Sequence, residues 1–297
     1  MYFANAEGPV FRPPSEAYSF ILRVTIGCSH NACTYCTMYR SVMFRTCPRE
    51  EIMAQINAAK PYNQNIRRIF LADGNALVLA TDKLLDILQL LKQTFPRLQR
   101  VSCYAGPKDI LNKTPLELAA LRDAGLRLVY YGLESGDELV LRQVNKGVSA
   151  AETIEAGQRI VAAGIKLSVM IIAGLGGQVH SSRHAFHTAQ AVNAIRPQMV
   201  SALTLMLYRG SELVEQFERG EFMPLPPANI MAELYQLVSA IDLPLGSHCL
   251  FRSTHSSNHI GLAGTLPKDK ARLLQELQAA EAQLRYLTDW DPYNNVE

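Results

Sequence analysis

Strands alternating with amphipathic helices along residues 18–210 predict an α/β fold, a partial (β/α)6 barrel followed by a C-terminal helical extension. Three observations carry this expectation. Six short apolar or alternating runs lie in that span, and each is followed by a helical pattern. Glycines stand where helices should stop, at Gly125 and Gly164, just before the next strand. Residues suited to ligand chemistry fall directly after strands, at the end of a parallel sheet where ligands collect.

Residues 1–17 read as an irregular lead-in, since Pro9, Pro13 and Pro14 oppose a helix. The first strand is expected over 20–26, with Phe20, Leu22, Val24 and Ile26 on one face and Ile21, Arg23 and Thr25 on the other. A helix over 48–59 leads to a second strand over 67–72, closed by the turn residues Asp73, Gly74 and Asn75. Thr81 or Asp82 can cap the next helix, whose apolar stripe is Leu84, Leu85, Leu88 and Leu91. A third strand over 100–105 precedes a helix that Thr114 caps and Gly125 ends; the fourth strand follows over 126–134. Two helical stretches, 137–144 and 150–163, lead to a fifth strand over 166–174. A helix over 181–195 leads through Pro197 to a sixth over 199–207. Alternation turns Arg23, Thr25, Ser102, Tyr104, Ser168 and Met170 toward the barrel interior.

The extension, 211–297, reads as helical over 226–240, with a short strand over 248–251 and a long helix from Lys268. Leu273, Leu274, Leu277, Leu284 and Leu287 give that last helix an apolar face, and Thr265 before Leu266 and Pro267 signals its start. The chain thus divides into a lead-in (1–17), a core (18–210) and an extension (211–297) packed on the core.

Composition narrows the function classes. The 297 residues are 48% apolar and 19% charged, which suits a packed enzyme and excludes a disordered chain. A formal charge of only +2 argues against a nucleic-acid partner. No apolar run reaches the length of a membrane span, and the first residues lack the blocks of a signal peptide. Six cysteines in so long a chain do not make a disulfide framework, so a reducing, cytoplasmic location is expected.

Three of those cysteines, Cys28, Cys33 and Cys36, share one short polar loop with C-x4-C-x2-C spacing. Close thiolates on a loop are soft ligands for zinc or for an iron–sulfur cluster. A structural zinc ion would take a fourth Cys or His, for which His30 is the near candidate; three ligands suit a four-iron cluster with one open iron. Cys47, Cys103 and Cys249 lie far apart and read as small buried residues.

The stretch Gly27–Cys36, GCSHNACTYC, resembles the cluster loop of radical S-adenosylmethionine (SAM) enzymes. It has one residue more than their usual C-x3-C-x2-C, and an aromatic residue, Tyr35, before the third cysteine. It is similar to the GCxxNxCxxC loop found among relatives of the anaerobic cobalamin-linked cyclases and methylthiotransferases. The resemblance implies a partial TIM-like radical SAM barrel and a [4Fe–4S] cluster held by Cys28, Cys33 and Cys36, with SAM chelating the open iron. It gives Gly74 and Asn75 the place of the turn that holds the SAM amino group. Glu134 and Ser135, in the GLESG segment, take the place of ribose or methionyl contacts; Gly174 and Gly176, in GLGG, that of a glycine motif near the adenine. Lys146 stands where a carboxylate partner is within reach, and a solvated lysine at a helix end is the alternative. His180, His184 and His187 have helical spacing and read as a partly exposed polar face. Arg252, His255, Ser257, Asn258 and His259 crowd donors into a loop that suits substrate reading.

The implied activity is reductive cleavage of SAM to a 5′-deoxyadenosyl radical that abstracts hydrogen from a small molecule or cofactor precursor, with a flavodoxin- or ferredoxin-like electron donor and low oxygen. Two alternatives stand beside it: a radical SAM enzyme that modifies RNA or a peptide, and a non-catalytic iron–sulfur or zinc module.

Overall fold

The computed structural model describes residues 10–286 and 290–293. Its strands are β1 (Phe20–Arg23), β2 (Thr25–Ile26), β3 (Arg45–Thr46), β4 (Arg68–Ala72), β5 (Arg100–Ala105), β6 (Leu126–Glu134), β7 (Lys166–Ala173), β8 (Met199–Thr204), β9 (Cys249–Ser253) and β10 (Leu262–Leu266). Its helices are α1 (Arg49–Ala59), α2 (Thr81–Thr94), α3 (Pro107–Leu111), α4 (Pro115–Ala124), α5 (Glu138–Gln143), α6 (Ala150–Ala162), α7 (Gly177–Ile195), α8 (Glu212–Glu218), α9 (Pro227–Ala240) and α10 (Lys270–Leu284). Eight strands form one sheet in the order β1-β4-β5-β6-β7-β8-β9-β10. The pairings β1–β4, β4–β5, β5–β6, β7–β8 and β8–β9 are parallel, and β9–β10 is antiparallel. The expected α/β class therefore stands: a mostly parallel sheet, consistent with a partial radical SAM barrel, with helices at the C-terminal end.

By internal contacts the chain forms two compact units, one of Met1–Asn31, Met38–Tyr131 and Arg159–Leu167, the other of Ala32–Thr37, Gly132–Gln158 and Ser168–Glu297. In the first unit, β4 and β5 carry apolar residues on both faces, as strands covered on both sides do. Leu84, Leu88 and Leu91 of α2 and Leu118 and Leu121 of α4 are fully buried, each worth about 1.5–3 kcal/mol relative to exposure. A capping box between Thr114 and Glu117 starts α4, and Gly125 at φ 119° ends it. Register puts Arg23, Phe70, Ser102, Tyr104 and Tyr130 on one face of the sheet. There Phe70, Tyr104 and Tyr130 meet edge to face with centroids 5.1–6.0 Å apart.

The lead-in has more structure than its prolines suggest. Glu16 sits on a short 3-10 turn (Pro14–Glu16), fully buried, and accepts from Arg100 at 2.7 Å, from the Tyr130 hydroxyl at 2.7 Å and from Ser19. Residues 1–9 of the expected lead-in lie outside the described residues.

The first expected strand breaks. β1 ends at Arg23, and Thr25–Ile26 leave the parallel ladder to pair antiparallel with Arg45–Thr46, as the chain returns from the cysteine loop. Val24 is the joint: its N–H donates to Ala72 O at 2.7 Å and its carbonyl accepts from Cys47 N at 2.9 Å.

In the second unit α9 packs between α7 and α10. The α7 helix starts at Gly177, four residues before the expected 181, because the GLGG turn itself opens it. The extension contributes two strands as well as helices. Leu262–Leu266 form β10 where a loop and a helix start were expected; Thr265 is a strand residue, and the last helix begins at Lys270. Leu273, Leu277 and Ala280 are its buried face, and Leu287 lies outside the described residues.

Candidate cofactor site

In the first unit the loop after β2 lies against the turn after β4. Gly74 N donates to Gly27 O at 3.1 Å. A Cβ on Gly74 would stand 3.0 Å from Cys28 Cβ and 3.0 Å from Gly27 O, so this close approach requires glycine. Asp73 Oδ2 accepts from Arg23 Nη2 at 2.6 Å and from Gly27 N at 3.3 Å. Both partners of this ion pair are buried, at 2% and 0% exposure. Burial pushes the Asp73 carboxyl up, and Arg23 opposes that push. The Tyr39 phenol is raised beside it, by burial first and by Asp73 second. Asn75 uses its whole amide: Oδ1 accepts from Ser29 N at 3.1 Å, while Nδ2 donates to Ser29 Oγ and to Asp109 Oδ2 at 2.7 Å.

In the second unit the rest of the loop is tied to helical segments. Thr34 N donates to Val144 O and Leu213 N to Thr34 O, each at 3.0 Å, and Asn145 Nδ2 donates to Ala32 O at 3.1 Å. Tyr35 packs against Val140, Val144 and Leu175. Burial raises its phenol well above the usual value, and Glu134, Cys33 and Cys36 add to this.

Glu134 ends β6 with a left-handed backbone, φ 58°. Its carboxylate folds back over Gly132, where a Cβ would fall 2.1 Å from Oε1, so a side chain at 132 would push the carboxylate aside. Lys146 Nζ meets Oε1 at 2.9 Å, with both side chains mostly buried. Of the two readings of Lys146, the carboxylate partner is the one the structure shows.

Ser135 is fully buried, and its Oγ lies 2.8 Å from His184 Nδ1. His184 Nε2 is 3.1 Å from Ile172 O. A carbonyl only accepts, so Nε2 carries the proton and Nδ1 accepts from Ser135. The expected exposed histidine face is corrected here: His184 is 0% exposed, because α7 turns it onto the ends of β6 and β7. His187 is partly exposed and reaches Asp137, which Arg183 also meets at 2.8 Å. Burial works against the Asp137 charge, but Arg183, the α5 amides and His187 outweigh it and hold the carboxyl at about 2.

Gly174 has φ 84°, and its N–H donates to Glu233 Oε1 at 2.6 Å. Glu233, 1% exposed on α9, also accepts from Ser181 at 2.6 Å. Gly176 lies against the first turn of α7, where a Cβ would be 3.0 Å from the His180 backbone. The polar tail loop is spent largely on β8: Thr204 N donates to Ser257 Oγ, Thr204 Oγ1 bonds Asn258, and Asn258 donates to Ala202 O. Desolvation lowers the His255 and His259 imidazoles.

None of the six cysteines forms a disulfide, and donor chemistry separates them into two sets. Cys47, Cys103 and Cys249 are buried, and burial pushes their thiols up to about 11, 12 and 12, which keeps them protonated. Cys28, Cys33 and Cys36 are all partly exposed. Among the described residues no three His, Cys, Asp or Glu side chains stand close enough to hold a metal ion as they are. The fit of a cluster therefore rests on this set of three partly exposed thiols in one loop, and on the glycine cradle at Gly74 that abuts Cys28.

Five contributors escaped sequence reading: Arg23 and Asp73 as an ion pair, Asp109, His184 and Glu233. For Arg23 a signal was present, a charge in an apolar strand with inward parity. His184 and Glu233 lie on helices whose polar spacing looks like a solvated face.

Comparisons with known proteins give the family. A family model described as the radical SAM superfamily matches residues 22–188. A tRNA uridine(34) acetyltransferase of Methanocaldococcus infernus is 28% identical over 109 residues, 36% of this chain and 20% of that protein. An uncharacterized protein of Methanocaldococcus jannaschii is 24% identical over 213 residues, 68% of this chain and 65% of that one. The chain thus spans less than two thirds of either relative. In fold it is similar to the crystal structure of methylornithine synthase, with a TM-score of 0.53 at 14% identity over 90% of this chain and 84% of the other. With that model covering more than half of its length, the chain belongs to the radical SAM superfamily.

Proposed function

We propose that this radical SAM enzyme acts on a small molecule or cofactor precursor, with residues 18–210 as the catalytic core and 211–297 as an extension packed on it. Membership of the superfamily implies a [4Fe–4S] cluster and SAM as cofactors. The observation that carries the site assignment is the separation of three partly exposed loop cysteines from three buried, protonated ones. In this reading Cys28, Cys33 and Cys36 ligate the cluster. A cluster held by these three thiolates, with SAM on its open iron, would supply one-electron reductive cleavage of SAM.

The chain's own residues bind and orient. Gly74 lets backbone approach Cys28. Asn75 fixes the loop. Glu134, held by Lys146, offers a carboxylate to a ribose hydroxyl or methionyl ammonium. Ser135 is held by His184, and the turn from Gly174 to Gly176 would line the adenine of bound SAM. Tyr35 packs against Val140, Val144 and Leu175 beside the third cysteine.

A small substrate is favoured by the charge of +2. A flavodoxin- or ferredoxin-like donor and a reducing, cytoplasmic, low-oxygen setting complete the reading; no helix among the described residues is long and apolar enough to cross a membrane. A second reading, RNA modification, is favoured by the match to the tRNA uridine(34) acetyltransferase. The two separate in one assay: SAM cleavage by the reconstituted protein, with and without bulk tRNA. The small-molecule reading expects no stimulation and no modified nucleoside; stimulation with a modified uridine would replace it with the RNA reading.

A further inference from the structure

The side chains of the turn after β4 are turned toward the cysteine loop. Gly27 N is bonded by Asp73, Gly27 O by Gly74 N, and Ser29 N by Asn75 Oδ1, so the clamp brackets Cys28 on both sides. Its outermost member comes from the helix that follows β5. Asp109, on the first turn of α3 and 8% exposed, accepts from Gly106 N at 3.0 Å and from Asn75 Nδ2 at 2.7 Å through the same Oδ2.

A carboxylate can only accept, so it forces the amino side of Asn75 toward itself. The Asn75 carbonyl must then face Ser29 N. Turned over, Asn75 would set its oxygen against the Asp109 carboxylate and leave Ser29 N facing an NH2 group. Lys113, two residues past the end of α3, is engaged elsewhere, donating to Leu79 O at 2.8 Å. The acceptor chemistry of Asp109 thus orders a bond made two residues removed from it.

We propose that Asp109 is a positioning residue for the cysteine loop: acting through Asn75, it fixes Ser29 and so places Cys28. This rests on the reading of Cys28 as a cluster ligand for its functional meaning, and it implies that both N–H groups of Asn75 serve the loop. Asp109 touches neither cofactor; it is to Cys28 what outer-shell partners are to metal ligands.

The test uses the full-length, reduced apoprotein under anaerobic conditions. A pulse of iodoacetamide followed by peptide mass spectrometry gives the alkylation rate of Cys28 relative to Cys36 in the same sample. Asp109→Ala should raise that ratio about 5- to 10-fold, the effect of losing one buried hydrogen bond, while Asp109→Asn, which keeps an acceptor, should stay within about twofold. A residue that only caps α3 would lower the melting temperature without changing the ratio. If Asp109→Ala fails to fold, Asn75→Asp removes the same donor and should raise the ratio likewise. In the reconstituted protein Asp109→Ala and Asn75→Asp, but not Asp109→Asn, should lose iron to a chelator about 10- to 100-fold faster. An unchanged ratio in Asp109→Ala, or Asp109→Asn as reactive as Asp109→Ala, overturns the proposal. Wild-type protein that takes up no cluster would instead defeat the proposed function, and the alkylation ratio would still decide this inference.

Discussion

Lys146 Nζ stands 2.9 Å from Glu134 Oε1, and the pair is buried to 13% and 12% side-chain exposure over a glycine with no room for a Cβ. A carboxylate in such a place, at the end of a parallel strand and with a left-handed backbone, is held in one orientation. Glu134→Ala should therefore weaken SAM binding by about 10- to 100-fold, equivalent to losing one charge-assisted hydrogen bond of about 1.5–3 kcal/mol. Equilibrium binding of SAM to the reconstituted protein checks this, and unchanged affinity would return Glu134 to a structural role.

The two sets of cysteines should separate cleanly on substitution. Replacing Cys28, Cys33 or Cys36 with Ala should abolish the absorbance of the reconstituted cluster while the fold survives. Cys103→Ser or Cys249→Ser should leave it in place and lower stability, since each puts a hydroxyl into a buried apolar position. Iron and sulfide analysis with circular dichroism reads both effects.

The Arg23–Asp73 pair predicts a large stability effect from a single change. Arg23→Leu leaves the Asp73 charge buried and alone, which should cost about 3–5 kcal/mol. A double variant, Arg23→Leu with Asp73→Asn, should recover part of that loss. Denaturant unfolding of four proteins, the wild type, each single variant and the double, measures the coupling, and additive effects would show that the pair does not act as a unit.

Acid stability should depend on Asp137. Its folded carboxyl lies at about 2, below the usual value of 3.8, so its stabilising contribution is present above pH about 4 and is lost as pH falls toward 2. The shift corresponds to about 1–2 kcal/mol once the partial exposure of Arg183 and His187 is allowed for. Asp137→Asn should lower stability at pH 7 and flatten the loss between pH about 4 and 2. A variant whose acid unfolding curve overlays the wild type would contradict this.

Much of this architecture was legible in the residues. The strands at Arg68–Ala72, Arg100–Ala105, Leu126–Glu134 and Met199–Thr204 begin within a residue of expectation, because glycines and prolines mark the gaps between periodic runs. The break after Arg23 was not legible, since Thr25 and Ile26 continue the alternation and only their long-range partners, Thr46 and Arg45, draw them away. Strand β10 was hidden by Gly264 and by polar neighbours; pairing with Phe251 and Leu250, not propensity, makes it a strand. At the site, cysteine spacing and the strand-end glycines were readable. The burial of His184 was not, because helical spacing alone does not say which face of α7 meets β6 and β7. The hydrogen bonds of Asn75 to Ser29 and Asp109, residues 46 and 34 positions away, were not legible either.

The central claim is that this chain cleaves SAM by one-electron reduction at a cluster held by Cys28, Cys33 and Cys36. The most direct measurement is anaerobic: reconstitute the protein with iron and sulfide, reduce it with dithionite, add SAM, and quantify 5′-deoxyadenosine and methionine by mass spectrometry. The account predicts both products in equal amounts from the wild type and neither from the three single cysteine variants. Equal product from the Cys28→Ala, Cys33→Ala and Cys36→Ala proteins, or zinc in place of iron with no product from the wild type, would contradict it.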